Sequence, residues 1–464
     1  MKIISSSIII LILSIPLTAQ DQVVSSTTTL SFADCMKTAS EMYEPLKLAK
    51  QEIDLSTAKL TESRRSLYPT LTAKGDHTDG AADVGTGTPS FSEDSYGLQT
   101  TYPIYQGGKM SSIFKQAKLN LTISNLKYEK TKKELAYTVA EAYWNLLRLI
   151  CDTKEYEKSL EELKKIYGMT KKLYANGSIN ERELISVQSQ LNQAEYQLET
   201  NMSDVENQKW KLSVAMGLDK QIDFTTITEI PFSRIEISLE QCLQKAQTGN
   251  YDVLIAETTA EVEHLGVVVK KSYKKPKIDF NAFYGKSGSA YQGEVLNLAE
   301  DYQFGIQIAQ PFDLNTFNLS GQAIKTSPKL GQTTLTQSDT LSASVSLLDA
   351  YKQQSEEKEA YLTFNQALFN LKKTKADTAA QVRDAYFNYR KALSQVNNAQ
   401  LDYQLAKKEL AIDSINLGNE KANFVNVAED ANKVASSAAA LNDAKVFYII
   451  SIAAIDKAVG KESN

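Results

Sequence analysis

Three cysteines and two histidines are the residues of this 464-residue chain best suited to nucleophilic, redox or metal chemistry. Cys35, Cys151 and Cys242 stand far apart and form neither a disulfide framework nor a metal-ligand spacing. A cysteine outside such patterns behaves as a small buried hydrophobe. His77 and His264 stand in no spacing that assigns either a metal or a catalytic role. The acids are interspersed with lysines, so no pair is marked for general acid/base work. The sequence therefore offers no catalytic residue, no metal site and no cofactor, and an enzyme is the class it supports least. What remains is chemistry of surfaces: conduction past polar walls and recognition by partners.

The elements that would build such surfaces occur twice. Residues 30–39, Leu-Ser-Phe-Ala-Asp-Cys-Met-Lys-Thr-Ala, return at 237–246 as Ile-Ser-Leu-Glu-Gln-Cys-Leu-Gln-Lys-Ala, and the shift of 207 still holds at Pro69 and Pro276. Residues 139–145, Val-Ala-Glu-Ala-Tyr-Trp-Asn, return at 382–388 as Val-Arg-Asp-Ala-Tyr-Phe-Asn, a shift of 243. Two copies of one unit make a single pseudosymmetric body, and the second copy carries about 36 extra residues.

Lys2 precedes an apolar run over 8–17, and Leu17-Thr18-Ala19 before Gln20 supplies small residues for cleavage, so residues 1–19 read as an export signal. No later stretch is read as reaching the ~20 apolar residues of a membrane helix, so a membrane would have to be crossed by strands. Losing Lys2 with the signal moves the formal charge from −5 to −6. With no basic patch, a nucleic-acid partner is not expected.

Prolines are absent from 104–230 and from 329–464, and glycines are sparse there. Each stretch predicts a pair of long helices. Leu184, Val187, Leu191, Ala194, Leu198, Met202 and Val205 step by three and four, the narrow seam of helices packed in a wall. A helix over 108–173 would be about 100 Å long. Between the helices the period changes to two. Tyr96, Leu98, Thr100 and Tyr102, then Ile278, Phe280, Ala282 and Tyr284, then Tyr302, Phe304, Ile306 and Ile308, and finally Leu341, Ala343, Val345 and Leu347 alternate with Gly, Ser, Gln and other polar residues. Apolar outside and polar inside describes a water-filled membrane barrel, although a soluble sandwich shares the pattern.

On these residues the chain resembles the TolC-like outer-membrane efflux channel family over nearly its whole mature length. The resemblance is carried by the double repeat, Tyr68-Pro69-Thr70-Leu71 before a strand, Tyr102-Pro103-Ile104-Tyr105-Gln106-Gly107-Gly108 before a helix, and Ala142-Tyr143 within that helix. It implies an α+β membrane protein: a trimeric outer-membrane β-barrel continuous with a long periplasmic α-helical barrel, two structural repeats per chain. The first repeat covers 20–235, with a strand hairpin at about 69–105 and a helical hairpin at about 108–217. The second covers 236–464, with a strand region at about 277–348 and a helical hairpin at about 349–460.

The resemblance further implies a homotrimer in outer-membrane lipid that works with a periplasmic adaptor (membrane fusion) protein and an inner-membrane transporter. The hairpin tips fall at Asn176, Gly177 and Ser178 and at Leu417, Gly418 and Asn419, and these are the expected adaptor contacts. They can also be no more than turns. Where the family carries gate carboxylates beyond the second tip glycine, this sequence has Phe424 and Val427. A Phe424 ring could close a pore by dewetting, or Phe424 could simply lie between helices. Glu429 and Asp430, a turn further on, are the acidic alternative.

The extra residues fall within 302–348, because the shift of 243 already aligns Leu98 with Leu341. Two placements stand open: an added hairpin with 317–325 as its second strand, giving six strands where the family norm is four, or an insertion outside the sheet. Arg64-Arg65 and Lys270-Lys271, with Lys274 and Lys275, precede equivalent strands and suit either lipid headgroups or solvated helix ends. The function this points to is a passive exit duct for efflux or type I secretion. The alternative is a periplasmic coiled-hairpin structural or adaptor protein.

Overall fold

The first helix starts at Ser31, whose hydroxyl accepts from the Asp34 amide at 3.2 Å while the Asp34 carboxylate accepts from the Ser31 amide at 3.1 Å. This reciprocal cap satisfies two donors that a helix start leaves open. The structure, a computed structural model, describes residues 31–81, 87, 89–220, 229–328, 330, 334–418 and 423–461. The expected export signal lies outside the described residues.

In the first repeat α1 (Phe32–Met42) and α2 (Glu44–Arg65) lead into strands β1 (Thr70–Ala81) and β2 (Ser90–Gln106). Helices α3 (Lys109–Ala175) and α4 (Glu181–Ala215) then form the first long hairpin. The second repeat runs α5 (Leu239–Gly249), α6 (Tyr251–Lys271), β3 (Lys277–Tyr291), β4 (Ala299–Phe312), β5 (Asn315–Thr326), β6 (Thr336–Ser346), α7 (Tyr351–Gly418) and α8 (Phe424–Val459). At 67 and 68 residues, α3 and α7 are each about 100 Å long. The passage from β2 into α3 needs glycine. Gly107 has φ 64°, and a Cβ there would sit 2.8 Å from the Ser272 carbonyl oxygen.

Among the described residues all six strands belong to one antiparallel sheet in the order β1-β2-β3-β4-β5-β6. The added residues are therefore inside it. β5 runs between β4 and β6 from Phe312↔Asn315 to Lys325↔Tyr302, joined to β4 by a two-residue turn in which Asp313 takes φ 52°. The placement of residues 302–325 outside the sheet is overturned, because their alternation fits the pleat of both neighbours. β1 and β6 are the two edges.

The repeats bury matching cores. Cys35, Ala39, Val139, Ala142 and Tyr143 pack with Leu212 and Met216 in the first. Cys242, Ala246, Val382 and Ala385 pack with Leu441 and Tyr448 in the second. Cys35 and Cys242 thus occupy equivalent interior sites, and burial pushes the Cys35 thiol up to about 11. One sequence expectation needs correction. The alanine-rich α8 contains a stretch long and apolar enough to cross a membrane by composition, with mean hydropathy 1.5. Its Ala431, Leu441, Val446 and Tyr448 are instead buried in the helical seams. Its buried Ala428, Ala431, Ala435, Ala438 and Ala444 let helices of a thin wall approach closely.

Candidate functional site

Cross-strand pairing fixes which side chains share a face of the sheet. The line Tyr102↔Phe280, Phe280↔Ile306, Ile306↔Gly321 and Gly321↔Leu341 joins one face across five strands. The alternating residues read from the sequence, Leu98, Tyr284, Phe304 and Leu341 among them, lie on it except Leu347, which follows the end of β6, and these large apolar side chains are exposed. Toward the end away from the helices the face changes character: Tyr284 and Tyr302 are direct cross-strand partners with Lys325 level with them, and one step further Tyr96 pairs with Lys286 beside Glu300. Lys325 pairs with Glu300 at 3.1 Å. An apolar band giving way to tyrosines and charges is the pattern expected on the lipid-facing side of a membrane strand array.

The opposite face is polar. Gln99, Asn281, Gln303, Gln307, Ser320 and Gln322 line a trough across β2 to β5, with Lys74 and Asp76 at its β1 side. Ser342 and Ser344 continue it onto β6. The lining combines amide and hydroxyl groups with the charged Lys74, Asp76 and Asp301.

At the far end of the helices, α3 closes with Asn176 and then Gly177 at φ 75°. The Gly177 and Ser178 amides donate to the Tyr174 and Leu173 carbonyls, both at 2.9 Å. Asn180 then caps α4 by accepting from the Glu183 amide at 2.9 Å. Left-handed glycine followed at once by a cap makes a short, fixed reversal. At the second tip α7 ends at Gly418 and α8 starts behind the cap Asn423, whose side chain accepts from the Val425 amide at 2.9 Å. Asn419 lies outside the described residues, and so does the rest of the turn to 422.

The gate candidates separate sharply. Val427 is 3% exposed, enclosed with Ala428 and Ala431 against Leu160, Leu163, Ile166, Val187 and Leu191 of the other hairpin. A side chain so enclosed cannot face a pore axis. Phe424 is half-buried against the same cluster, so its ring serves the seam between hairpins. Asp430 turns toward Asp413 and Glu409 of α7, and its burial together with those two acids raises its pKa. Glu409 is held by Lys433 at 2.6 Å. Glu429 alone of the four candidates is exposed. Of the basic residues near the strands, Lys270 and Lys274 pair with Glu356 and Glu357 of α7 at 2.9 and 2.6 Å, whereas Arg64 and Arg65 are exposed.

Midway along the helices lies a network that sequence reading missed. Asp152 of α3 is almost fully buried, accepts from Asn442 of α8 at 2.9 Å and pairs with Arg148 at 3.1 Å. Arg148 also reaches Asp443 at 3.5 Å. Burial is the main cause that pushes the Asp152 carboxyl up to about 6. The only signal was an acid and a base four apart inside an apolar stretch, which many exposed helix faces share.

Residues 40–218 match the family model described as outer membrane efflux protein. Among solved structures, the CmeC outer membrane channel of Campylobacter jejuni superposes with a TM-score of 0.74 at 16% identity, over 92% of this chain and 85% of that one. The outer membrane protein VceC of Vibrio cholerae gives 0.72 at 15% identity over 92% and 96%. The MtrE outer membrane channel of Neisseria gonorrhoeae, solved in its open state, gives 0.70 at 13% over 92% and 88%. No curated protein sequence matches the chain.

Proposed function

We propose that the chain is a member of the TolC-like outer-membrane efflux channel family and that three copies form one passive exit duct. It resides in the outer membrane with its helical part in the periplasm. In this reading the six-stranded sheets close into a membrane barrel, and the helical hairpins line a tunnel continuous with it. The observation that carries the proposal is a sheet apolar on one face and polar on the other, joined end-on to helices of 67 and 68 residues. A periplasmic adaptor or scaffold has no use for a sheet that leaves Leu98, Tyr284, Phe304 and Leu341 exposed together.

Energy and choice of cargo come from an inner-membrane pump and a periplasmic adaptor, for efflux or type I secretion. The hairpin tips at 176–178 and 417–419 are the adaptor's docking points, and the rigid reversal at Gly177 offers a fixed shape for it. Among the gate candidates Glu429 is the one that a ring of three acids would use. The duct catalyses nothing; its amide-rich lining passes what the pump delivers.

Imaging of the protein extracted from outer membranes in detergent tests this. A threefold particle with a barrel on a stalk about 100 Å long is expected from the helix rise. A soluble monomer without a barrel would overturn it. Crosslinking from Ser178→Cys should then capture the adaptor, and capture from the sheet end instead would refute the docking assignment.

A further inference from the structure

An exact repeat would give each chain four strands, yet β1 and β6 stand as free edges of a six-stranded sheet. Both edge strands are exposed over nearly all their length. Unpaired edges of this length are a liability unless another chain covers them. The repeat itself says how. β3 is the counterpart of β1 at a shift of 207, and β6 is the counterpart of β2 at a shift of 243. The observed pairing of β2 with β3 is therefore an internal copy of the pairing between β6 and the β1 of a neighbouring chain.

We propose that β6 of one copy pairs with β1 of the next in the register of the β2–β3 seam, and that three copies close an 18-stranded barrel. This rests on the trimeric-duct reading above. The seam's Tyr102↔Phe280, Thr100↔Ala282 and Thr101↔Asn281 translate to Val345 opposite Ala73, Ala343 opposite Gly75, and Ser344 opposite Lys74. The translated pairs keep faces intact: Val345 and Ala73 both lie on the apolar face, Ser344 and Lys74 both on the polar one. A shift by one residue would put each on the wrong side.

The register also closes geometrically. Following cross-strand partners from Leu71 through Thr100, Ala282, Phe304 and Ala323 ends at Asp339. The translated pairing of Tyr96↔Lys286 sets Asp339 opposite Asp79 of the next copy. Each copy thus advances the register from 71 to 79. Three such steps over 18 strands give a tilt of roughly 42°, within the usual range of closed barrels. The wall-to-wall diameter is then about 37 Å, against about 25 Å for 12 strands at the same tilt.

The helical layer supports the same neighbour independently. α6 packs against both α3 and α7, while its counterpart α2 has substantial contact with α3 only. α2 leaves Leu48 and Leu55 exposed, and α7 leaves Leu362 and Phe369 exposed. A second copy placed as the repeat dictates brings α2 against the neighbour's α7 and covers both sets.

The test is disulfide mapping in outer-membrane fractions. Lys74→Cys with Ser344→Cys should give, under oxidation, a covalent trimer on non-reducing gels that collapses to monomer with reductant; single variants control for the native cysteines. Antiparallel partners bring Cα atoms within bridging distance. Linkage by Thr72→Cys with Ser344→Cys, and not by the first pair, would overturn the register. A threefold particle imaged with 12 strands would overturn the strand count and leave the duct intact. Absence of any threefold particle would remove the duct reading as well.

Discussion

The two repeats share a core and differ at both of its margins. Cys35, Ala39, Val139 and Ala142 coincide with Cys242, Ala246, Val382 and Ala385, all buried. Around them, the first repeat stacks Phe32, Tyr143 and Trp144, with ring centroids 5.3 to 6.2 Å apart. In the second, Leu239 stands for Phe32, and Phe387, which stands for Trp144, is exposed. Small side chains at helix crossings are held by geometry in both copies. Large ones at the margin follow whatever covers that copy, here the short helix α1 in one case and solvent in the other.

Substituting the equivalent tyrosines breaks the comparison most directly. Tyr143 is 1% exposed, so Tyr143→Ala should cost about 3–5 kcal/mol. Tyr386 is half-buried and should cost clearly less. Thermal unfolding of the detergent-extracted protein measures both. Equal losses would mean that Tyr386 is as enclosed in the assembly as Tyr143 is in the chain.

The Asp152 network exists in one repeat only, since Gln395 stands at the equivalent position. The folded chain holds the Asp152 proton up to about pH 6, well above the unfolded value near 3.8. Between these values the folded state binds more protons, so this group makes stability fall as pH rises from about 4 to about 6, by up to about 3 kcal/mol, and leaves it flat above. Asp152→Asn should flatten that slope, while Gln395→Asn should leave it in place. A slope unchanged in Asp152→Asn would refute the assignment.

Most of the architecture was legible because it is written as period. Steps of three and four gave the helical walls, alternation gave the strands, and the repeat offset located the added residues but not whether they join the sheet. The burial of the gate candidates was not legible. Phe424 and Val427 were read by counting from Gly418, but their fate depends on Leu163, Ile166 and Val187, more than 200 residues away, closing over them. Spacing along a chain predicts which face of its own helix a residue occupies, and says nothing of what another hairpin lays on that face. Asp152 was missed for the same reason, because its partner Asn442 lies across the seam between hairpins.

The β2–β3 seam and the free edges invite a smaller test. Gly97 and Gly285 pair inside the chain, and a Cβ on Gly285 would come 2.2 Å from the Tyr96 carbonyl oxygen. Their counterparts at the edges are Thr340 and Thr78. Gly285→Val should therefore cost about 1–3 kcal/mol by overpacking, read as reduced heat resistance of the assembled protein. Thr78→Val exchanges one β-branched side chain for another at a position that already carries a Cβ, and should change it little. A tolerated Gly285→Val would mean that the inner seam is looser than its register indicates.

The smallest expected effects concern the tips. Gly177 has open space around a built Cβ, so its requirement for glycine is conformational alone. Gly177→Ala must hold φ 75° against Cβ sterics and should cost roughly 1–2 kcal/mol. Asn180→Ala removes a cap and should cost about 1 kcal/mol. Both losses fall on a reversal that bears little of the core, so global stability should shift by no more than these amounts while export activity separates two roles. If the tip is only a turn, activity tracks the small stability loss in both variants. If the adaptor reads the shape of the reversal, Gly177→Ala should reduce export well beyond what Asn180→Ala does, because it displaces Asn176 and Ser178 on either side of the turn, whereas the cap sits behind it on α4.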